Sequence, residues 1–280
     1  MKIINSLSGG KTSSYVAANY KADSDVFSLV RTIDKNCLFP DKKLRQMVSD
    51  KLGLEFIGTL EEDTIVKTIF DLEQFIGRKI DWVSGEPFDN IITTSNNVKY
   101  LPNKMARFCT TKLKTIPILN YVYDKFKEPV YMRFGFRANE VNRAYKMLEK
   151  TDDEGFTIVK ATFTKLKDGR QSWAKYRYCK PLFPLIDDNI YKDNIEEFWK
   201  NKPVRFAYMN NCVGCFWRSP LLLKKMSEKE PNKMEWFANQ ETKKARWRSD
   251  VFYKDVINWK SQIELFDNDF NECDSGYCGL

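Results

Sequence analysis

The beginning of the chain changes from apolar to polar and back to apolar within twenty residues. Residues 2–7 are mostly apolar, residues 8–14 hold two glycines among hydroxyl side chains, and residues 15–20 contain helix-favouring alanines. This order predicts a strand, a glycine-rich turn and a helix.

The same reading of apolar periodicity continues along the next hundred residues. Helices predicted at residues 41–52 and 63–76 are each followed by a glycine, Gly53 and Gly77, which is typical of a helix C-terminus. The remaining elements predicted in this part are strands at 25–30, 54–57 and 130–136 and helices at 115–127 and 139–149. Alternating strands and helices indicate an α/β domain, a largely parallel twisted sheet flanked by helices.

The pattern changes in the second half of the chain. Turn-like residues at 152–155 and 167–170 flank a predicted strand at 156–163, which indicates an inserted hairpin. From about residue 202 helices dominate, at 220–226, 231–248 and 250–266, followed by a tail with cysteine and glycine. We therefore predict an α/β domain at 1–201 and a mainly helical, cysteine-containing region at 202–280.

The amino-acid composition limits which catalytic and metal-binding groups the chain can use. Histidine is absent from all 280 residues, which excludes Ser-His-Asp and Cys-His catalysis and every histidine-bound metal site. With 42% hydrophobic residues and 20 phenylalanines the chain can fill a core, so wholesale disorder is excluded. Cysteine, carboxylate, lysine, tyrosine and backbone amides remain for chemistry.

The N-terminus has no signal-peptide core, and no apolar run approaches the ~20 residues of a membrane span, so we expect a cytoplasmic protein without a membrane partner. In that reducing compartment the seven cysteines favour metal ligands, nucleophiles or core positions over disulfides. The net charge of +8 is compatible with polyanionic partners, nucleotides and nucleic acids included.

The turn after the first strand is a candidate phosphate site. A strand that leads through glycines into a helix directs several free backbone amides and a helix N-terminus at one point. Gly10, Lys11 and Thr12 match the end of the Walker A loop, but its first glycine would fall at Asn5. This mismatch argues against a P-loop NTPase.

The turn resembles the PP-loop, SGGx[DT]S, of the adenine nucleotide α-hydrolase-like superfamily, which includes ATP pyrophosphatases and phosphoadenosine phosphosulfate (PAPS) reductases. Thr12 stands where ATP-cleaving members usually carry aspartate. The resemblance implies the PP-loop fold, binding of ATP or PAPS with Mg²⁺, a catalytic role for Lys11, and nucleotide contacts from Ser8, Gly9, Gly10, Lys11, Thr12 and Ser13.

Three later segments are similar to PAPS-reductase-like proteins in the same order. Residues 107–117 resemble RxCTxxLKxxP, residues 135–144 resemble GxRxxE followed by RA, and residues 211–219 resemble the NCxxCFxKS segment of uncharacterised phage and mobile-element members. The resemblance implies that Arg137 and Arg143 hold a phosphate or sulfate and that Arg137 acts in catalysis. Planar guanidinium groups suit such oxyanions.

The cysteines divide into two sets. In iron-sulfur members of this family the ligands come from the segment of Cys109 and from a later CxxC, here Cys212 and Cys215, which leaves Cys273 or Cys278 as the fourth ligand. A 4Fe-4S cluster and structural zinc both fit this set, and free or redox-active thiols are the third alternative.

The last three residues resemble the ECGLH tail of sulfonucleotide reductases, which makes Cys278 a candidate nucleophile. Cys37 and Cys179 lie among apolar or strand-like neighbours and are expected in the core.

A basic aromatic stretch lies in the predicted helix 231–248. Lys243, Lys244, Arg246, Trp247 and Arg248, with Trp236 before them, suit a nucleic-acid backbone and a stacked base. The alternative is an amphipathic helix whose tryptophans face the core.

Together these features predict a PP-loop enzyme, encoded by a bacterium or a phage, for ATP-dependent adenylylation and sulfur transfer of the thiolation or phosphorothioation type. Its expected partners are an adenine nucleotide, a sulfur donor or thiol-reductant protein, and an acceptor substrate. Nucleic acid is one candidate for this acceptor. Two alternatives remain open, a PAPS or adenylyl-sulfate reductase and a non-catalytic nucleotide- or nucleic-acid-binding module.

Overall fold

The computed structural model describes residues 1–93, 98–165 and 171–260. It divides into two compact units, each built from three segments of chain. The sheet unit comprises Met1–Phe27, Thr68–Val83 and Ile116–Phe206, and the cysteine unit comprises Ser28–Lys67, Ser84–Thr115 and the described residues from Ala207 onward. The predicted boundary after residue 201 stays a prediction.

Most of the β-strands in the described ranges belong to the sheet unit. In chain order they are β1 (Ile3–Leu7), β2 (Ser24–Ser28), β3 (Arg31–Thr32), β4 (Gly58–Thr59), β5 (Ile80–Val83), β6 (Val130–Arg133), β7 (Ile158–Lys165), β8 (Gln171–Arg177) and β9 (Cys179–Leu182).

The α-helices differ widely in length. In chain order they are α1 (Lys11–Asn19), α2 (Lys42–Leu52), α3 (Asp63–Ile76), α4 (Phe88–Ile91), α5 (Phe108–Thr110), α6 (Ile116–Phe126), α7 (Val141–Leu148), α8 (Pro184–Asp187), α9 (Lys192–Trp199), α10 (Pro220–Lys229), α11 (Pro231–Gln240) and α12 (Tyr253–Asn258). Short 3-10 helices cover Lys35–Cys37 and Ala138–Glu140, and Thr111–Thr115 is π-helical. None of the helices in the described ranges has the length and apolar character needed to cross a membrane.

The sheet unit contains a five-stranded parallel sheet in the order β5-β2-β1-β6-β9. Strand β1 pairs in parallel with β2 on one side and β6 on the other, and β6 pairs in parallel with β9. Buried apolar side chains such as Ile4, Val26 and Met132 pack against Leu119 and Val122 of α6. The predicted α/β fold with a parallel sheet flanked by helices is confirmed at this level.

Most predicted elements agree with the structure. Helices α2 and α3 end where predicted, and Gly53 and Gly77 adopt positive φ angles of 66° and 63°. The predicted hairpin is the antiparallel pair β7 and β8, while its proposed turn at 167–170 lies outside the described residues.

Two predicted elements are wrong. Residues 54–57 form no strand, because the Phe56 amide donates to the Ser49 hydroxyl and the Ile57 carbonyl accepts from the Phe39 amide. The helix predicted at 231–248 ends at Gln240, because the next residue, Glu241, turns its carboxylate to accept from the Trp247 and Tyr253 amides.

The third late helix is shorter than predicted. Helix α12 covers Tyr253–Asn258 rather than 250–266, and the part of that range after residue 260 lies outside the described residues.

A buried polar network fixes β1, β2 and α1 to one another. The Asn5 side-chain amide, fully buried, donates to Asp25 at 2.7 Å and to the Tyr20 carbonyl at 2.8 Å. Arg78 donates through Nε to the other Asp25 oxygen at 2.6 Å and through Nη2 to the Ala17 carbonyl. The Asp25 carboxylate, which is 1% exposed, thus pairs with the charged Arg78 guanidinium and with the neutral Asn5 amide.

Cys37 and Cys179 are buried at 2% and 0% exposure, so their predicted core positions are confirmed. Burial raises the pKa of each thiol to about 12. Both are therefore neutral at physiological pH, as core residues should be.

We predict that Arg78→Met lowers the free energy of unfolding by about 2–4 kcal/mol, because it leaves the buried Asp25 carboxylate without its cation. Urea unfolding measures the change. The exposed neighbour Lys79 provides the matched control, since Lys79→Met removes the same charge without a buried partner and should stay within about 0.5 kcal/mol. Equal losses in both variants would contradict the role of the network.

Candidate functional site

The strand order reverses next to β1. From β1 the chain moves outward on one side to β2 and β5, and β6 and β9 are then added on the other side. The order therefore reverses between β1 and β6. In open parallel sheets ligands bind at such a reversal, beyond the carboxyl ends of the strands.

The glycine turn occupies the carboxyl end of β1. Gly9 has a φ of 76°, a conformation that side chains with a Cβ rarely adopt, and the extended Gly10 is the N-cap of α1. The Ser13 hydroxyl closes the turn, since it accepts from the Ser8 amide at 3.1 Å and donates to the Gly10 carbonyl at 3.2 Å.

The start of α1 is electrostatically suited to an anion. The first amides of a helix have no partner within it and carry its positive dipole end. The first turn of α1 contains no acidic residue, and its N-cap makes no side-chain hydrogen bond. The turn thus offers amides without a competing carboxylate on its own helix.

The end of β6 approaches the same turn closely. A Cβ placed on Gly135 would lie 3.2 Å from Thr12 Cγ2 and 3.3 Å from the Ser13 nitrogen. Gly135 therefore permits this packing, and the chain reaches Arg137 two residues later. The structure thus brings the segment with Arg137 to the carboxyl end of the sheet beside the glycine turn, the edge on which its strand was predicted to open.

One carboxylate holds both predicted phosphate-binding arginines. Glu140 accepts from Arg137 Nε at 3.0 Å through one oxygen and from Arg143 Nη1 through the other. The Arg143 guanidinium also lies over the Phe136 ring, 4.2 Å from its centroid. Two cations and one anion leave this small cluster with a net positive charge.

Lys11, the predicted phosphate ligand, is paired with a carboxylate. Its ammonium group forms an ion pair with Glu196 of α9, and its carbonyl accepts from the Trp199 indole at 3.0 Å. Glu196 and Lys11 share a surface cavity with Asp193 and Glu197. A phosphate on the glycine turn would compete with Glu196 for this lysine.

Three predicted metal ligands meet in the cysteine unit. Cys109, Cys212 and Cys215 line one cavity of about 40 Å³, which is more space than a single water molecule needs. The cavity is otherwise mostly apolar, with Leu113, Phe216, Phe237 and Trp247 among its lining residues. More than a hundred residues separate Cys109 from the CxxC pair in the sequence, so the tertiary fold brings them together.

The loop that carries the CxxC pair is held by a buried arginine. Arg218, 1% exposed, donates to the Asn210 carbonyl at 2.6 Å and to the Cys212 carbonyl at 3.2 Å. Arg248 in turn donates to the Arg218 carbonyl at 2.6 Å. Guanidinium groups thus satisfy carbonyls that no regular element pairs here.

Gly214 lies between the two cysteines and fits only without a side chain. Its Cβ would lie 2.3 Å from Cγ of Phe237, and its carbonyl accepts from the Tyr253 hydroxyl at 3.1 Å. The CxxC turn therefore packs directly on the aromatic core of this unit.

A buried ion pair adjoins the thiols. Glu61, 1% exposed, accepts from the Lys114 ammonium at 3.0 Å, and its Oε2 atom is buried with no hydrogen-bond partner among the described residues. Glu61 also forms a β-bridge with Cys212. Sequence reasoning missed Glu61 because no local pattern marks it, whereas Lys114 and Arg218 lie inside segments that the family resemblance had already singled out.

Burial and neighbouring charge keep two of the three thiols protonated. Burial, assisted by the nearby Cys215, raises the pKa of Cys109 to about 11. Burial and the Glu61 carboxylate raise the pKa of Cys212 well above its usual value. Cys109 and Cys212 are therefore neutral thiols at physiological pH.

The described residues do not complete the predicted metal site. Across 1–93, 98–165 and 171–260 no group of three or more His, Cys, Asp or Glu side chains is arranged to hold a metal ion. Cys273 and Cys278 lie outside the described residues, and with them the predicted fourth ligand and the predicted nucleophile.

The basic aromatic stretch is not a helical nucleic-acid surface. Trp236 and Trp247 are buried at 4% and 1% exposure, as the alternative interpretation proposed. Arg248 is also buried and donates to the Phe216 carbonyl at 3.0 Å. Of the basic and aromatic residues in this stretch, only Lys243 and Lys244 are exposed to solvent.

Comparison with protein-family models, with curated proteins and with solved structures gives no match for this chain.

We predict that Gly214→Ala lowers the free energy of unfolding by about 1–3 kcal/mol and makes Cys215 more reactive towards a thiol reagent, because the added methyl displaces the turn from Phe237. Urea unfolding and thiol titration measure both effects. Gly53→Ala is the control, since nothing lies within 4 Å of its Cβ position and only the positive φ is strained. An unchanged thiol reactivity in Gly214→Ala would refute the packing argument.

Proposed function

We propose that this chain is a PAPS-reductase-like PP-loop enzyme that binds an adenine nucleotide and catalyses ATP-dependent adenylylation followed by sulfur transfer. The observation that carries the proposal is the position of the glycine turn. It lies at the carboxyl end of β1, where the strand order reverses, with the Gly135 segment packed against it.

In this proposal the amides at the start of α1 bind the phosphate chain of ATP, with Mg²⁺ as its counterion. Arg137 and Arg143 neutralise the pyrophosphate end. An acceptor oxygen attacks the α-phosphorus and pyrophosphate leaves; a sulfur nucleophile then attacks the adenylylated carbon and AMP leaves. Thr12 supplies a hydroxyl where related ATP-cleaving enzymes have a carboxylate.

The three-cysteine cavity is the proposed site of an iron-sulfur cluster or, alternatively, zinc. Cys109, Cys212 and Cys215 contribute three thiols to one cavity, and thiolates are the ligands that iron-sulfur clusters and zinc prefer. Cys109, Cys212 and Cys215 would hold the group, with a tail cysteine as the fourth ligand. A cluster would supply redox or sulfur-carrying chemistry, whereas zinc would stabilise the loop.

We predict that Gly10→Asp abolishes ATP binding, because it adds a side chain and a negative charge where the phosphates approach. Isothermal calorimetry with Mg·ATP measures the loss. Gly53→Asp, at the end of α2, makes the same change in charge and should leave ATP binding intact. Unchanged affinity in folded Gly10→Asp would place the nucleotide elsewhere.

We predict that Arg137→Ala weakens ATP binding by roughly ten- to hundredfold, since a charge-assisted bond to an oxyanion contributes about 1.5–3 kcal/mol. Adenosine is the internal control for folding, because it lacks the phosphates and should bind the variant and the wild type alike. Equal weakening of both ligands would identify Arg137 as a structural residue.

We predict that serine at Cys109, Cys212 or Cys215 strips the same metal from the protein. Anaerobic purification, the absorbance spectrum, and iron, zinc and sulfide analyses distinguish the cluster from zinc. Cys179→Ser, which changes a buried cysteine of β9, is the control and should retain the metal. Retention of full metal content in any of the three site variants would contradict the shared site.

Turnover assays separate the proposed activity from its alternatives. ATP-dependent release of pyrophosphate supports adenylylation, and release of sulfite from PAPS supports a reductase. Binding of a nucleotide without either product would identify a binding module.

A further inference from the structure

Aromatic and basic side chains cluster beside the three-cysteine cavity on the surface of the cysteine unit. We call this cluster the aromatic rim and define it as Tyr100, Lys104, Arg107, Phe108, Lys112 and Trp217. Trp217 itself lines the cavity, and Phe108 directly precedes Cys109. The rim therefore borders the site at which sulfur chemistry is proposed.

One part of the rim is a stacked pair of rings. Tyr100 and Phe108 lie 5.3 Å apart between ring centroids with an interplanar angle of 10°. The Lys112 ammonium lies over the Phe108 ring, 5.5 Å from its centroid. Tyr100 is 54% exposed, so its ring is accessible from solvent.

The second part of the rim surrounds Trp217. The Arg107 guanidinium lies 5.3 Å from the centre of the Trp217 ring, and the Lys104 ammonium lies 5.7 Å from it. Lys104 is exposed, as is the neighbouring Met105 at 95%. Cations thus lie over aromatic faces in both parts of the rim.

We propose that the aromatic rim binds single-stranded nucleic acid, with a base stacked on Tyr100 and phosphates on Lys104 and Lys112. The inference rests on the proposed function and deepens it, because it names nucleic acid as the acceptor. Exposed aromatic faces interleaved with cations are what single-strand binding requires, since unpaired bases stack and the backbone is anionic. The bases of a duplex already stack on one another and cannot reach Tyr100 in this way.

The location of the rim distinguishes it from the basic stretch discussed above. Trp236, Trp247 and Arg248 are buried in the core, whereas Tyr100 and Lys104 are exposed beside the cavity. A strand bound on the rim would present a nucleotide to the three-cysteine site.

The test measures fluorescence anisotropy of a labelled single-stranded oligonucleotide about 12 nucleotides long, within the usual range of site sizes. The full chain is titrated without ATP at several salt concentrations. Tyr100→Ala should weaken binding roughly five- to hundredfold, the usual contribution of one stacked base. Lys104→Gln with Lys112→Gln should weaken it further and reduce the slope of log K against log salt by about 1.4, because two phosphate contacts are lost.

Matched controls lie on the β7 and β8 hairpin. Trp173 is 51% exposed and Lys175 is also exposed, so Trp173→Ala and Lys175→Gln remove an aromatic group and a charge elsewhere. Both should bind like the wild type. Equal weakening in controls and rim variants, tighter binding of a duplex of the same sequence, or no binding by the wild type would overturn the proposal.

Calorimetry with Mg·ATP on the same samples separates this proposal from the proposed function. Wild-type protein that binds ATP but no oligonucleotide refutes the rim and leaves the nucleotide site intact. Protein that binds the oligonucleotide through the rim but never ATP supports the rim and refutes the PP-loop function.

Discussion

The buried Asp25 carboxylate constrains the whole sheet unit. It lies on β2 at 1% exposure and requires both Arg78 and Asn5 to satisfy it. Arg78 and Asn5 also bind the Ala17 and Tyr20 carbonyls at the end of α1, so one anion fixes β1, β2 and α1 together. Because α1 is held at its C-terminal end, its N-terminal end stays at the carboxyl edge of the sheet, where the glycine turn lies.

In the cysteine unit the candidate site is built on an irregular loop. Backbone carbonyls of such a loop need donors, and Arg218 and Arg248 provide them from buried positions. Phe237 of the aromatic core packs against Gly214 and thereby fixes the position of the CxxC turn. Arg218, Arg248 and Gly214 therefore hold the backbone of this loop in place, a role that strand pairing has in the sheet unit.

The sequence was most informative where the cause of structure is local. The apolar run before Gly9, the periodicity of α2 and α3, and the glycines after both helices reflect interactions within a few residues, and these elements were predicted correctly. The parallel sheet followed from the alternation of strands and helices.

Sequence reasoning failed where distant partners decide. The end of α11 depends on Glu241 binding the Tyr253 amide, twelve residues away, and residues 54–57 are fixed by bonds to Ser49 and Phe39. The Glu61 carboxylate next to the cysteines is paired with Lys114, 53 residues further along the chain, so nothing near it in the sequence marks it. Family resemblance grouped the cysteines in advance, but it said nothing about this ion pair.

The ion pair between Lys11 and Glu196 has a consequence for affinity. Because the lysine already has an anionic partner, a phosphate bound as in the proposed function would exchange one partner for another instead of filling an open position. The pair is partly exposed, so its rupture costs about 0–1 kcal/mol and less as salt increases. Salt would therefore weaken the Glu196 competitor as well as the proposed nucleotide, whose affinity would depend less steeply on ionic strength than the number of cations around the turn suggests.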